Sequence, residues 1–276
     1  MKQNLAVITG TTHGIGRVTA TELARAGHRV VMLCRDLARA SELAAQIASR
    51  IAGARVEAIH CDLGELPSVR RAALILRERL GPIDSLILNA GMASMSNQRT
   101  SSGLDLNFAV NHLGHFLLVE LLRDQMASAG RIITVASRAH LRGDLDLQAV
   151  ADPAERIGAS ASYARSKLAN VLHSLALARQ LEGTGVTANC LHPGIVATHL
   201  LPRWLQVIQR LVRGQMFDES RGARTTLHLA LSPDVGGCNG LYFDEKARPA
   251  SPSKRAQDRA LQDALWRRSR EWTGLG

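Results

Sequence analysis

From Leu5 to Val135 the sequence switches repeatedly between two hydrophobic periods, and that alternation restricts the fold more than any other feature. Leu5–Thr9, Arg29–Cys34, Arg55–His60, Ile83–Leu88 and residues 131–135 are near-continuous apolar runs of strand length, the pattern of strands buried on both faces. Between them, residues 15–26, 37–51, 66–80 and 104–127 carry apolar residues at helical spacing. The first of these has Ile15, Val18, Ala20, Leu23 and Ala26 on one face and a Gly27 stop. Strands alternating with helices form βαβ units with right-handed crossovers. A further helix is expected over 162–181, a strand over 186–191 and a short strand over 241–243. The expected fold is α/β: one domain over 1–276, a Rossmann-type doubly wound parallel sheet of about seven strands with helices on both faces. Two segments interrupt the pattern. Residues 195–219 form a long connection with an amphipathic stretch at 204–212, read as a lid or as a helix packed on the body. Residues 248–276 read as a basic helical tail.

Composition removes several function classes. No apolar run approaches the roughly 18 residues of a membrane span. Met1-Lys2-Gln3-Asn4 precedes an apolar run too short for a signal-peptide core, so a cytoplasmic location is expected. Cys34, Cys61, Cys190 and Cys238 are scattered without a C-x-x-C pair and read as reduced, the first three buried in strands. Aromatic content of 3% argues against a base-stacking nucleic-acid surface. The net charge is +10, and half of it lies beyond residue 245, where eight Lys or Arg face three Asp or Glu. A solvated basic helix is the expectation there; contact with a membrane surface or nucleic acid is the alternative.

Directly after the first strand stands Thr9-Gly10-Thr11-Thr12-His13-Gly14-Ile15-Gly16, which opens a helix. Glycines at such a turn let backbone approach a pyrophosphate, and the helix N-terminus offers unpaired N–H groups and a positive dipole end. Gly10, Thr12, His13, Gly14, Ile15 and Gly16 are therefore candidate phosphate-binding residues. The second strand ends in Cys34-Arg35-Asp36. A cation there suits the 2′-phosphate of NADP(H), whereas NAD(H) usually meets an acid. Arg35, with Arg17 beside the glycine loop, favours NADP(H) over NAD(H). Asp36 pairs with Arg35 or caps the next helix. Asp62 and Leu63 follow the third strand, where Asp62 contacts the adenine edge or serves as a cap. Asn89-Ala90-Gly91 ends the fourth strand in the same crevice.

Tyr163-Ala164-Arg165-Ser166-Lys167 sets a phenol and an ammonium on one helix face. With two Tyr in the chain, a chance Y-x-x-x-K is expected only about 0.03 times, so the signal is specific. A nearby cation favours the phenolate and brings tyrosine toward useful acid–base strength. Ser137 follows the strand at 131–135, at the carboxyl end where open α/β sheets bind ligands. His112 and His115 read as packing or cofactor-contact residues rather than metal ligands, and no metal site is expected. His140 and His192 have no evident partner.

This ordered set resembles the short-chain dehydrogenase/reductase family over nearly the whole chain. The matching pieces are TGTTHGIG, CDL at 61–63, NAG at 89–91, Asn111, Ser137, Tyr163 with Lys167, and HPG at 192–194 leading to Thr198. Cys34-Arg35-Asp36, the run from Asn111 to Phe116, SRAH at 137–140 and SKLANVL at 166–172 are similar to its retinol-dehydrogenase-like branch. The resemblance implies hydride transfer between a nicotinamide and an alcohol or carbonyl carbon. It makes Tyr163 the acid–base, with Lys167 lowering its pKa and binding the nicotinamide ribose. Ser137 would orient the substrate oxygen, and Asn111 would hold a water in a proton relay. Pro193, Gly194, Val196 and Thr198 would meet the nicotinamide amide. Ala136 stands where many relatives have Ser.

The expected function is an NADP(H)-dependent oxidoreductase acting on an alcohol or carbonyl of a lipophilic small molecule, in a homo-oligomer (dimer or tetramer). A catalytically silent NADP(H)-sensing protein and a module built on the basic tail are the alternatives; no nucleic-acid partner is expected.

Overall fold

The computed structural model describes residues 3–94, 98–152, 154–194 and 218–276. In chain order it places β1 (Leu5–Thr9), α1 (Gly14–Arg25), β2 (Arg29–Cys34), α2 (Leu37–Arg50), β3 (Arg55–His60), α3 (Leu66–Arg79) and β4 (Ile83–Leu88). There follow α4 (Leu106–Phe108), a π-helical turn (Ala109–Leu113), α5 (Gly114–Leu122), β5 (Met126–Val135), α6 (Ala159–Gln180) and β6 (Thr187–Leu191). Then come α7 (Glu219–Leu231), β7 (Tyr242–Phe243), β8 (Pro249–Ala250) and α8 (Arg259–Thr273).

The strands form one sheet in the order β3-β2-β1-β4-β5-β6-β7-β8, parallel except for the β7–β8 pair. Strand order reverses direction between β1 and β4, so loops after these strands diverge and leave a crevice at their carboxyl ends. Alternating side chains explain the unbroken apolar runs. Leu5, Val7, Val31, Leu33, Leu86 and Leu88 enter the core on one face. Ala6, Ile8, Val30, Met32 and Ile87 enter the core on the other.

Four expectations change. The stretch 104–127 is not one helix: it ends at Leu122, and Met126 already pairs with Ile83 at the start of β5. Helical spacing alone could not see that pairing, because a partner strand supplies it. The sheet gains β8, a two-residue antiparallel strand beyond the seven expected. Helix α7 was not anticipated, although Asp218 caps it by accepting a hydrogen bond from Arg221 N.

The basic tail, finally, is no solvated helix. Asp258 caps α8, Gly274 ends it at φ +66°, and Gln262, Leu265, Ser269 and Thr273 form a buried stripe. Trp266 meets the rings of Phe116 and His173 at 5.2 and 5.5 Å. Arg248, Arg255, Arg268 and Arg270 pair with Asp244, Asp144, Glu271 and Glu120. Among the described residues no helix is long and apolar enough to cross a membrane. Residues 195–217, which hold most of the expected lid, lie outside the described residues.

Candidate active site

The glycine loop lies over the sheet's crevice because two of its glycines allow nothing larger. A Cβ on Gly10 (φ +70°) would sit 2.7 Å from Ala90 Cα, and one on Gly16 would fall 2.1 Å from the Gly10 carbonyl oxygen. His13 precedes α1 in extended conformation and makes no side-chain cap, and the first turn of α1 has no acid. The α1 N–H groups and dipole end are thus unspent by its own cap, which fits a phosphate. Thr12 Oγ1 lies 3.1 Å from His13 Nδ1. Thr11, not singled out from sequence, is anchored beneath by Cys34 Sγ at 3.1 Å from its hydroxyl.

The loop after β4 is tied to this one. The Thr9 hydroxyl accepts from the N–H groups of both Asn89 and Ala90, at 3.0 and 2.9 Å. Asn89 Nδ2 donates to the carbonyls of Thr9 and Gly10, both at 2.9 Å. Asn89 therefore holds the floor of the crevice. At the rim, Asp36 Oδ1 accepts from Arg39 N at 3.0 Å, so the carboxylate caps α2. Arg35 is exposed and makes no ion pair among the described residues. Arg17 does not stand free beside it: its guanidinium pairs with Glu219 at 2.8 Å. The expected clamp of two guanidiniums reduces to Arg35. Asp62 Oδ1 accepts from Gly64 N at 2.9 Å, and buried Leu63 packs against Gly114 at the start of α5.

On the other side of the switch point, Ser137 follows β5 and Tyr163 and Lys167 stand one turn apart on α6. The Ser137 hydroxyl accepts from Ala139 N at 3.1 Å and stands near enough to the Tyr163 phenol to lower its pKa. Lys167 is fully buried; its Nζ donates to the Val135 carbonyl at 3.0 Å and lies 5.8 Å from the Tyr163 ring centroid. Gly91 closes over it, since a Cβ there would be 3.2 Å from Nζ. Burial pushes Lys167 down to about 8. Burial also pushes the Tyr163 phenol up, and the Ser137 hydroxyl partly offsets that. The expected lowering of Tyr163 by Lys167 is therefore absent here. The low dielectric penalises phenolate and ammonium alike, and the ammonium is aimed at a carbonyl.

Asn111 lies in the π-helical turn, a distortion common at functional sites. Its amide oxygen accepts from Met92 N at 2.8 Å, and its Nδ2 donates to the Met92 carbonyl and the Ser166 hydroxyl. The side chain thus fixes the segment after Gly91 and the turn of α6 carrying Lys167. Its backbone carbonyl accepts from His115 Nδ1 at 3.0 Å, while His115 Nε2 lies 2.9 Å from the Thr9 hydroxyl. Burial lowers His115 to about 4, with nearby Lys167 adding to the effect. The ring is neutral, with the proton on Nδ1, and Thr9 donates to Nε2. Sequence reasoning had the histidine but not its partners, which come from β1 and the π turn.

His140 and His192 likewise acquire partners. Pro193 and Gly194 follow β6 at the same edge of the sheet, Gly194 at φ +79°. Val196 and Thr198 lie outside the described residues. Cys34, Cys61 and Cys190 are buried free thiols, as expected.

Residues 4–206 match the family model described as short chain dehydrogenase. Retinol dehydrogenase 14 of Mus musculus is 38% identical over 294 residues, covering 100% of this chain and 87% of that protein. An uncharacterised protein of Mycobacterium paratuberculosis superposes with a TM-score of 0.81 at 33% identity, covering 99% of this chain and 94% of that one. A short chain dehydrogenase of Burkholderia cenocepacia in complex with NADP gives 0.72 at 26% identity, over 88% and 95%.

Proposed function

Because the chain belongs to the short-chain dehydrogenase family and is an oxidoreductase of it, we propose that it interconverts an alcohol and a carbonyl of a lipophilic small molecule with NADP(H). The observation that carries this reading is the convergence of Ser137, after β5, with Tyr163 and buried Lys167 on one face of α6 at the carboxyl edge of the sheet, Lys167 Nζ lying 5.8 Å from the Tyr163 ring centroid.

Gly10, Thr12, His13, Gly14, Ile15 and Gly16 hold the pyrophosphate, and Asp62, Leu63, Asn89, Ala90 and Gly91 line the adenosine side. Pro193 and Gly194 would meet the nicotinamide amide; Val196 and Thr198, which the resemblance assigns to the same contact, lie outside the described residues. A nicotinamide held there supplies hydride exchange at its C4 carbon. Ser137 donates a hydrogen bond to the substrate oxygen. Tyr163 gives its phenolic proton to that oxygen in reduction and takes it back in oxidation. Lys167 binds ribose hydroxyls and favours the phenolate once its ammonium faces the cleft. The second lone pair of the Asn111 carbonyl holds a water that resupplies the proton.

Exposed Arg35 beside a carboxylate already spent on a cap favours a 2′-phosphate. Leu141, on the turn after Ser137, is a large apolar side chain left exposed, which suits a lipophilic substrate. The retinol dehydrogenase relatives agree in substrate character. The expected assembly is a homo-oligomer, through a surface other than the side of α5 and α6 against which α8 lies.

Thermal-shift titration with NADPH and NADH tests the cofactor reading, since a ligand bound only by the native state raises stability by RT ln(1 + [L]/Kd). NADPH is expected to shift the wild type well above NADH, and Arg35→Ala to abolish that difference. An equal loss for both cofactors would reject Arg35 as the discriminating group.

A further inference from the structure

Ser137 leaves β5 and His192-Pro193-Gly194 leave β6 side by side, and a line of buried side chains runs behind both loops. His140 Nδ1 donates to the Ser137 carbonyl at 2.7 Å, and its Nε2 accepts from the Ser253 backbone N–H at 3.2 Å. The His140 ring meets Tyr242 edge-on at 4.9 Å, and Tyr242 stacks on His192 at 5.5 Å. The Tyr242 hydroxyl lies 2.8 Å from His192 Nδ1, and His192 Nε2 lies 2.7 Å from Glu245 Oε2. His140, Tyr242 and His192 are all buried.

The proton positions follow from the ends of the line. Glu245 is an acceptor, held below the ordinary carboxylate range by its own backbone N–H and by the His192 ring. His192 Nε2 therefore carries the proton, its Nδ1 accepts, and the Tyr242 hydroxyl donates. Each ring nitrogen has one partner of the right kind, so the rings have no alternative orientation of similar energy. The line ends on the backbone of Ser137, whose hydroxyl is itself held by Ala139 N at 3.1 Å and lowers the pKa of the neighbouring Tyr163 phenol.

We propose that Glu245, His192, Tyr242 and His140 act as one positioning brace that sets the Ser137 hydroxyl against Tyr163 and fixes the Pro193–Gly194 backbone beside it. The inference rests on the proposed role of Ser137 in orienting the substrate oxygen. Tyr242, Glu245 and Ser253 lie beyond residue 206, where the match to the family model ends. The C-terminal segment of this chain is thus a working part of the site. A reacting group displaced by even a fraction of an ångström loses much of its effect, so a brace remote from the chemistry has kinetic weight.

Tyr242→Phe keeps both ring contacts and removes only the hydroxyl; Glu245→Gln keeps the shape and removes the charge. Hydrogen exchange of the whole chain is the first readout. Amides at 137–143 and those of His192 and Gly194 are expected to exchange about tenfold faster in Tyr242→Phe, which loses one buried hydrogen bond, and about threefold faster in Glu245→Gln, which weakens a charge-assisted bond to a neutral one. With NADPH and 4-nitrobenzaldehyde, kcat is expected to fall about tenfold, with KM for NADPH within about twofold of wild type. With NADPH deuterated at the transferred position, the isotope effect on kcat is expected to rise. His140→Ala combined with Tyr242→Phe should lose no more than the weaker single variant. Faster exchange confined to 242–253, or kcat falling only in step with melting temperature, would overturn the brace. A wild type that reduces no carbonyl would remove the functional reading of Ser137, while the exchange data would still decide whether the brace exists.

Discussion

Lys167 illustrates how a single residue trades stability for chemistry. The fold buries its ammonium against one carbonyl and holds it at about 8, against an ordinary 10.5. Between those two values the unfolded chain holds a proton that the native one lacks, so this group makes stability rise with pH across that window. Below pH 8 the penalty is constant. Lys167→Met removes the charge at similar length. It is expected to be more stable than wild type at pH 7, by about 1–3 kcal/mol, with the gap closing toward pH 10.5 and turnover lost. Denaturant melts across that pH range check it. Tyr163→Phe removes only the proton that the reaction needs. Turnover should fall by about 10²–10⁴-fold with NADPH affinity nearly unchanged, and retained turnover would end the mechanism. The spacing of these two residues is plain in the sequence; the elevated phenol and the depressed ammonium are not, because both come from burial.

At the scale of elements, α8 is the clearest case of a pattern legible only in part. Its cap at Asp258 and its stop at Gly274 are sequence signals, yet its charge suggested a free helix. What seats it is a ring cluster of His112, His173, Phe116 and Trp266, with His112 Nε2 2.9 Å from the Ser269 hydroxyl. Burial lowers His112 well below its ordinary range and His173 to about 3. Both rings are neutral in the fold and would charge in the unfolded chain below about pH 6.5, so acid favours unfolding from there down. His173→Leu is expected to flatten the fall in stability between pH 6.5 and 4 by about one proton, near 1.4 kcal/mol per pH unit. An unchanged slope in paired melts of wild type and variant would show that His173 is not titrating in the cluster.

For the molecule as a whole, the local record in the chain was enough to specify a parallel α/β sheet and the strands β1 to β7, though not α7, β8 or the early end of α5. Strands buried on both faces must be continuously apolar, helices between them must show a 3.6-residue period, and a turn pressed against Ala90 must be glycine. Tyr163 with Lys167, Ser137 and the glycine loop could be found in the same way, since each is defined by residue type at fixed spacing. The rest depends on distance in space. His115 with Thr9, His140 with Ser253 and His112 with Ser269 join residues 106, 113 and 157 positions apart. The π turn, the early start of β5, the capture of Arg17 by Glu219 and the pKa shifts all arise from neighbours brought in by the sheet. The sequence by itself therefore determined which groups the chain carries and the alternation of strands and helices from β1 to β6, because those obey local periodicity and sterics. Only the tertiary structure decided which of those groups are charged, which are already spent on caps and pairs, and which brace the site, because desolvation and hydrogen bonding depend on what packs against each atom.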